Sequence, residues 1–174
     1  MKNYFRKLLM LWTRPGEFYS AAALETDSQP ASNFAALTAI LVAVELGLQE
    51  ALSGGTLSIV AFVTVALLIA LPFGVLLSGF LWAGFIRLTA SLLGADLPFL
   101  ALQKLVFYSC GGLAAMALAF LVGKWAALAV FFFQVAGSGE MLSCSKVSAY
   151  VYVLLPASMF GVLGLVLALL FKVF

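Results

Sequence analysis

The sequence predicts an all-α fold: an integral membrane bundle of about five transmembrane helices preceded by a short amphipathic interfacial helix. Of the 174 residues, 65% are hydrophobic and only 9% are charged, whereas a typical soluble domain is roughly 45–50% apolar and about 25% charged. Apolar runs suited to helical crossings recur from residue 34 onward, and a basic amphipathic segment precedes them. Because so few polar side chains cannot cover a water-facing surface, we expect a bilayer to surround most of the chain.

The N-terminal segment has the pattern of an amphipathic helix. Four apolar residues share one helical face at i, i+3, i+4 and i+7: Phe5, Leu8, Leu9 and Trp12. The basic residues of the segment lie largely elsewhere on the wheel, which suits a helix on the membrane surface. The alternative is a basic topology anchor with no recognition role. The apolar run 8–12 is shorter than the roughly 7–15 residues of a signal-peptide core, so we expect no cleavage.

Polar residues concentrate over 18–33, which we interpret as a linker on the same side as the N-terminus. Ser32 or Asn33 can cap a helix that begins near Phe34. We therefore expect residues 1–33 to form a cytoplasmic amphipathic helix and polar linker, and residues 34–174 to form a five-helix transmembrane domain.

Five apolar spans follow the linker. Their predicted bounds are 34–52, 57–86, 102–124, 125–136 and 149–171. The second is long for one crossing, and Pro72 near its middle favours a tilted or kinked helix. The fourth is short of the roughly 20 residues that a crossing needs. It crosses only if residues 123–124 and 137–138 join its helix, and the alternative is a re-entrant segment, which reverses the side of the C-terminus.

The lysines and arginines predict the orientation of the spans. With five crossings, most of the basic residues fall on the side of the N-terminus: Lys2, Arg6, Lys7, Arg14, Arg87, Lys104 and Lys146. The other side carries Lys124 and Lys172. Since cytoplasmic loops are enriched in Lys and Arg, we expect a cytoplasmic N-terminus. Lys124 should lie at the level of Glu50, so we expect an interfacial Glu50–Lys124 pair.

Two stripes of small residues indicate close helix packing. One recurs at every fourth position of the first span: Ala35, Ala39, Ala43, Gly47, Ala51 and Gly55. The other follows the third span: Gly111, Ala115, Ala119 and Gly123. Small side chains at this spacing let helix backbones approach closely in lipid. We favour packing within the bundle over contact with a partner protein.

One acidic side chain falls near the predicted bilayer midplane. Glu45 lies about 16 Å into the first span at 1.5 Å per residue, and Thr38 and Gln49 share its face. An ionisable group at this depth is costly and marks a functional site by default. The alternative is a neutral carboxyl that forms a hydrogen bond with a hydroxyl of another helix. The candidate hydroxyl partners are Tyr108, Ser109 and Ser78.

The composition excludes several function classes. Histidine is absent, which removes the commonest metal ligand and general base. Cys110 and Cys144 have no metal-binding spacing and indicate no disulfide framework. The net charge of +2 is too small and scattered for nucleic-acid binding. We expect no cofactor, no metal and no nucleic acid; the expected partners are the lipid bilayer and either another membrane protein or a second copy of the chain.

Several short motifs occur in a distinctive order along the chain. The segment LWTRPGEFY contains Pro15 and Phe18, and the central segment FIRLTASLLGADLPFLALQKLVFYSCGG contains a polar turn and an aromatic-small pair. Lys146 precedes a last helix that contains Pro156. This order resembles the bacterial branch of the Yip1-domain family over nearly the whole chain. The resemblance implies a polytopic protein of the bacterial inner membrane without a settled chemistry.

Three function hypotheses follow. The first is a non-enzymatic scaffold or accessory subunit of a membrane complex, which packs through small-residue faces. The second is a lipid-interacting or small transport protein with Glu45 in a polar intramembrane path. The third, a membrane-embedded enzyme, ranks last because the sequence offers no evident base, metal set or nucleophile pair.

Overall fold

All regular elements in the described part of the chain are α-helices, as the sequence predicts. The computed structural model describes residues 2–118, 126–142, 144–145 and 147–159. The helices are α1 Lys2–Thr13, α2 Pro15–Ala23, α3 Gln29–Leu52, α4 Leu57–Leu92, α5 Phe99–Ser109, α6 Gly111–Leu118, α7 Ala126–Met141 and α8 Val147–Met159. Within the described ranges two of them, α3 and α4, are long and apolar enough to cross a membrane, whereas the sequence predicts five crossings. The other apolar helices are shorter, and the fifth predicted span from residue 160 lies outside the described residues.

The centre of the bundle forms around α5 and the start of α6. Side chains of residues 102–112 are all buried, and this part of the chain packs against α3, α4 and α7. A helix that is buried on every side lies in the core of a bundle. Its buried polar residues include Gln103, Lys104 and Ser109, so polar groups lie at the centre of the bundle.

The third predicted span, 102–124, is not one continuous helix in its described part. α5 ends at Ser109 and α6 begins at Gly111, with a turn at Cys110 between them. The indole Nε1 of Trp12 donates a hydrogen bond of 3.0 Å to the carbonyl oxygen of Gly111. Glycine is a weak helix former with an unshielded backbone. The helix is therefore interrupted before Gly111, and the Gly111 carbonyl is open to the hydrogen bond from Trp12.

The longest helix, α4, exposes an apolar surface. It continues through Pro72, so the length of the second predicted span belongs to a single helix. At 1.5 Å per residue, its 36 residues extend about 54 Å, compared with roughly 30 Å for a hydrocarbon core. Phe62 and Phe73 on this helix are 75% and 73% exposed. The most apolar 18-residue stretch of α4 has no share buried inside the protein.

The fourth predicted span is longer in the structure than its sequence suggests. The sequence predicts an end before Gly137, but α7 continues to Met141. A Cβ atom on Gly137 would lie 2.6 Å from ring carbons of Tyr19. The Tyr19 side chain of α2 therefore packs directly on this glycine. The Ser138 hydroxyl donates to the carbonyl oxygen of Val135 at 2.9 Å. Tertiary packing against α2 thus extends the helix through residues that weaken it in isolation.

The predicted amphipathic helix is present as α1, but a different face is buried. Tyr4, Leu8 and Leu11 lie in the core, whereas Phe5 and Leu9 are 54% and 61% exposed. The reason is that α1 packs against the helical bundle. This packing buries Tyr4, Leu8 and Leu11, which share one face of α1 at i, i+4 and i+7. The helix therefore has one apolar line against protein and a second that faces outward.

The polar linker predicted over 18–33 is largely helical. α2 occupies Pro15–Ala23, and α3 begins at Gln29 rather than at residue 34. A proline lies in the first turn of each helix, where no backbone N–H partner is needed. Phe18 and its neighbours bury one face of α2 against the bundle. Polar composition alone predicted a linker, but burial of the apolar face favours a helix.

Candidate functional site

A set of charged and polar side chains joins three separate parts of the chain. Lys7 of α1, Glu25 after α2, and Lys104 and Tyr108 of α5 form what we call the charged cluster. The ammonium Nζ of Lys7 donates to Glu25 Oε1 at 2.8 Å and to the Tyr108 hydroxyl at 2.7 Å. That hydroxyl donates in turn to Glu25 Oε2 at 2.6 Å. The three groups therefore close a triangle of charge-assisted hydrogen bonds.

Lys104 ties the centre of the bundle to the end of α2. Its Nζ donates to the backbone carbonyl oxygens of Ala22, Ala23 and Glu25 at 2.9, 3.2 and 2.8 Å, and the residue is only 3% exposed. The last carbonyls of a helix have no partner within it and carry partial negative charge. The buried ammonium binds the carbonyls of the last two residues of α2 and the carbonyl of Glu25 just beyond it, and all three of its own donors are satisfied.

Aromatic rings pack against one side of the charged cluster. The Tyr108 ring packs edge-on against Phe18 and Phe34, with centroid distances of 4.9 and 5.4 Å. Lys7 Nζ lies 4.9 Å from the centroid of the Tyr108 ring. These rings shield the Tyr108 end of the cluster, whereas the side chains of Lys7 and Glu25 stay 35% and 23% exposed. The arrangement can therefore clamp α1 and α2 to the central helix.

A second polar contact joins α1 to α3. Thr38 donates its hydroxyl proton to the Phe34 carbonyl at 3.0 Å, so the Tyr4 hydroxyl is the donor in the 3.0 Å hydrogen bond between Tyr4 and Thr38. Burial raises the pKa of Tyr4, and the hydrogen bond to Thr38 lowers it in part. Tyr4 is therefore a neutral donor at physiological pH. Thr38, expected on one face with Glu45 and Gln49, is engaged by α1.

Glu45 is buried in α3 with half of its carboxyl group unsatisfied. The residue is 4% exposed, and its Oε1 accepts a hydrogen bond from Nε2 of Gln49. Its Oε2 is buried and has no hydrogen-bond partner among the residues that the structure describes. A buried polar atom without a hydrogen bond costs free energy. The presence of this unpaired oxygen in α3 therefore calls for a functional or structural explanation.

The hydroxyls expected to bind Glu45 are engaged elsewhere. Tyr108 belongs to the charged cluster. Ser109 donates to the carbonyl of Val106 at 2.6 Å, and Ser78 donates to the carbonyl of Val75 at 3.2 Å. Serine hydroxyls within helices often bond the preceding turn in this way, so none of the three expected contacts to Glu45 forms.

The small-residue stripe of α3 lies at helix contacts over most of its length. Ala35, Ala39, Ala43 and Gly47 are buried, whereas Ala51 is exposed. A Cβ atom on Gly47 would collide with the side chain of Thr64 in α4, which marks a close approach of the two longest helices. At these positions the stripe packs within the chain.

The second stripe and the predicted interfacial pair are only partly covered by the described residues. Gly111 and Ala115 belong to α6, and Glu50 lies near the end of α3. Ala119, Gly123 and Lys124 lie outside the described residues. The Glu50–Lys124 pair therefore stays a prediction.

Of the charged cluster, only Tyr108 was a predicted site residue, and its predicted partner was Glu45. Lys7 and Lys104 entered as orientation signals, and Glu25 entered as part of the linker. One signal could have identified the cluster: Lys104 is the only cation in the run 102–112, and Tyr108 follows one turn later on the same face. Their partners lie about 80 to 100 residues away in the chain, and no local pattern can identify contacts at that separation.

The described residues contain no group of three or more Cys, Asp and Glu side chains that could hold a metal ion. No protein-family model matches the chain, and no curated protein and no solved structure matches it. Function is therefore inferred from the geometry of this chain.

Proposed function

We propose that the chain is a multi-pass inner-membrane protein that acts without enzymatic chemistry, as a scaffold or accessory subunit of a membrane complex. The observation that carries this proposal is the surface of α4. Its most apolar stretch has a mean hydropathy of 2.7 and no share buried in the protein. Soluble monomers rarely expose contiguous apolar patches larger than a few hundred Å², so lipid is the medium that suits this helix.

The charged cluster supports a structural role for α1 and α2, which we call the N-terminal hairpin. The donors of Lys7 and Lys104 bind groups of the chain itself, and the carboxylate of Glu25 accepts bonds from Lys7 and Tyr108. These hydrogen bonds hold α1 and α2 against the bundle, as a platform on which a partner can dock.

Contacts at one end of the bundle favour five crossings with a cytoplasmic N-terminus. Ser20 of α2 donates to Glu140 near the end of α7 at 3.2 Å, and Lys104 of α5 reaches the end of α2. The hairpin therefore lies at the same end of the bundle as the last turn of α7. This arrangement suits an alternating path through a membrane, and the resemblance to the bacterial Yip1-domain branch stays a prediction compatible with it.

Reporter fusions test the topology. We expect a reporter fused after Ser143 to read cytoplasmic and one fused after Phe174 to read periplasmic, because five crossings place the two ends of the chain on opposite sides. The chain should also stay in the membrane fraction through an alkaline carbonate wash. A cytoplasmic reading after Phe174 would contradict the crossing by α7, and release by carbonate would contradict membrane embedding.

The scaffold role requires a stable partner. Purified in a mild, lipid-preserving detergent, the 18.5 kDa chain should migrate on a native gel with a stoichiometric membrane protein or a second copy. Mass spectrometry of the band identifies which of the two it is. Migration as a lone chain under these conditions would contradict the scaffold role.

The second candidate function is transport through a polar path at Glu45. The observation that favours it is the unpaired Oε2 atom of Glu45, since an ionisable residue within an apolar span marks a proton or ion pathway by default. The scaffold proposal assigns the same carboxyl group a packing role through Gln49.

Glu45→Gln separates these two functions. On the scaffold proposal, we expect the variant to match wild type in thermal stability and partner association, because glutamine keeps the shape and the hydrogen bond to Gln49. Proteoliposomes containing either protein should show the same proton leak. Glu45→Leu serves as the comparison that removes the polar group altogether. A proton or ion flux that wild type carries and Glu45→Gln abolishes would establish the transport function instead.

A further inference from the structure

A cleft lies between α4, α5 and α7. Its volume is about 360 Å³, within the range of roughly 300–1,000 Å³ typical of ligand sites. Most of the side chains around it are apolar, and Val75, Val106 and Phe131 form three of its walls. The exposed apolar surface of α4 continues into this opening. The lipid proposed to surround α4 therefore also reaches the mouth of the cleft.

Gln134 places a polar group in this apolar cleft. The residue is 2% exposed, and its Oε1 accepts a hydrogen bond of 3.1 Å from the indole Nε1 of Trp82. That bond fixes the amide orientation, because the indole can only donate. Among the described residues, no acceptor binds the amide Nε2 of Gln134. This donor opens into the cleft, where an oxygen of a bound molecule can accept its hydrogen bond.

The depth of this amide suggests which oxygen it meets. Trp82 precedes Arg87 by five residues and Gln134 precedes Glu140 by six, or about 7.5 and 9 Å along their helices at 1.5 Å per residue. The charged residues mark the level of water, and tryptophan is enriched just below it, at the membrane interface. Ester carbonyl groups of glycerolipids occupy that level, with the acyl chains beyond.

We propose that this cleft binds one acyl chain of a glycerophospholipid, whose ester carbonyl oxygen accepts a hydrogen bond from Nε2 of Gln134. The chain then runs along α4 between Val106 and Phe131, toward Val75. This proposal rests on the membrane embedding proposed above. The lining residues carry no formal charge, so recognition acts through the ester and the chain and not through the headgroup.

Two lipid probes that differ only at the carbonyl test the proposal. The detergent-purified chain is incubated with a diester phosphatidylcholine or with the diether lipid of the same chains, and retained lipid is counted by native mass spectrometry. We expect about fivefold greater retention of the diester, as roughly 1 kcal/mol for one hydrogen bond implies. Gln134→Leu should remove this preference, and Gln29→Leu at the exposed start of α3 should keep it. Equal retention of both lipids by wild type would overturn the proposal.

A second variant keeps the test decisive if Gln134→Leu fails to fold. Ser78 lies at the exposed mouth of the cleft, so Ser78→Trp should fill it and reduce retention of the diester to the level of the diether. Unchanged retention by this variant would overturn the proposal as well. Failure of membrane embedding is seen separately, because carbonate then releases the chain. Failure of the cleft proposal alone leaves the chain in the membrane with equal retention of both lipids.

Discussion

Lys104→Met should release the N-terminal hairpin from the bundle and lower the free energy of unfolding by roughly 3 kcal/mol, the scale of hydrogen bonds to a charged group. Methionine keeps the apolar stem of lysine but removes the ammonium from the carbonyl oxygens of Ala22, Ala23 and Glu25, and among the described residues only that of Ala22 keeps a backbone N–H donor. Thermal unfolding in detergent, followed by circular dichroism, measures the loss. Limited proteolysis should show faster cleavage between α2 and α3, because that segment loses its anchor to α5.

Arg87→Met is the matched control for the loss of a cation. Arg87 is half exposed, and its guanidinium lies 3.8 Å from a carboxylate oxygen of the exposed Asp96. An exposed ion pair of this kind contributes at most about 1 kcal/mol, so this variant should unfold close to wild type. Equal effects of the two variants would mean that Lys104 acts only through its charge and not as the cap of α2.

How much of the fold the sequence could reveal depends on the range of the interactions involved. The helices α3 and α4 follow from long apolar runs, which are local signals. The end of α7 does not, since Gly137 is held in the helix by the ring of Tyr19, more than a hundred residues earlier in the chain. The break at Cys110 likewise involves a distant neighbour, because the indole of Trp12 donates a hydrogen bond to the Gly111 carbonyl oxygen beside it. Local propensity therefore predicted helices and misjudged their ends.

The candidate site divides in the same way. Glu45 was identifiable because an acidic residue inside an apolar run is conspicuous in any sequence. Lys104 stands in an equally apolar run, but orientation rules explain a lysine at that place without a partner. Its role as the cap of α2 appears only when the chain is folded, because α2 itself lies in a segment whose composition predicted a linker. An error at the level of secondary structure thus concealed the site.

Gly112→Ala should separate α6 from α7. A Cβ atom at this position would lie 2.8 Å from the carbonyl carbon and oxygen of Ala129, and 3.1 Å from a ring carbon of Phe133. The nearest obstacle is backbone, which cannot rotate away as a side chain can, so the two helices must move apart. Overpacking of this kind costs about 1–3 kcal/mol, and every contact along the pair weakens with it. The melting temperature in detergent should fall accordingly.

Gly84→Ala supplies the opposite expectation within the same fold. Gly84 lies in α4, and a Cβ atom there would meet nothing within 4 Å. Alanine also restricts the unfolded chain and favours the helix by roughly 0.5–1 kcal/mol relative to glycine. The Gly84→Ala protein should therefore be as stable as wild type or slightly more stable, whereas Gly112→Ala should be less stable. If both substitutions stabilise the protein, α6 and α7 do not meet at Gly112, and the close backbone contact at the centre of the bundle does not exist in the membrane.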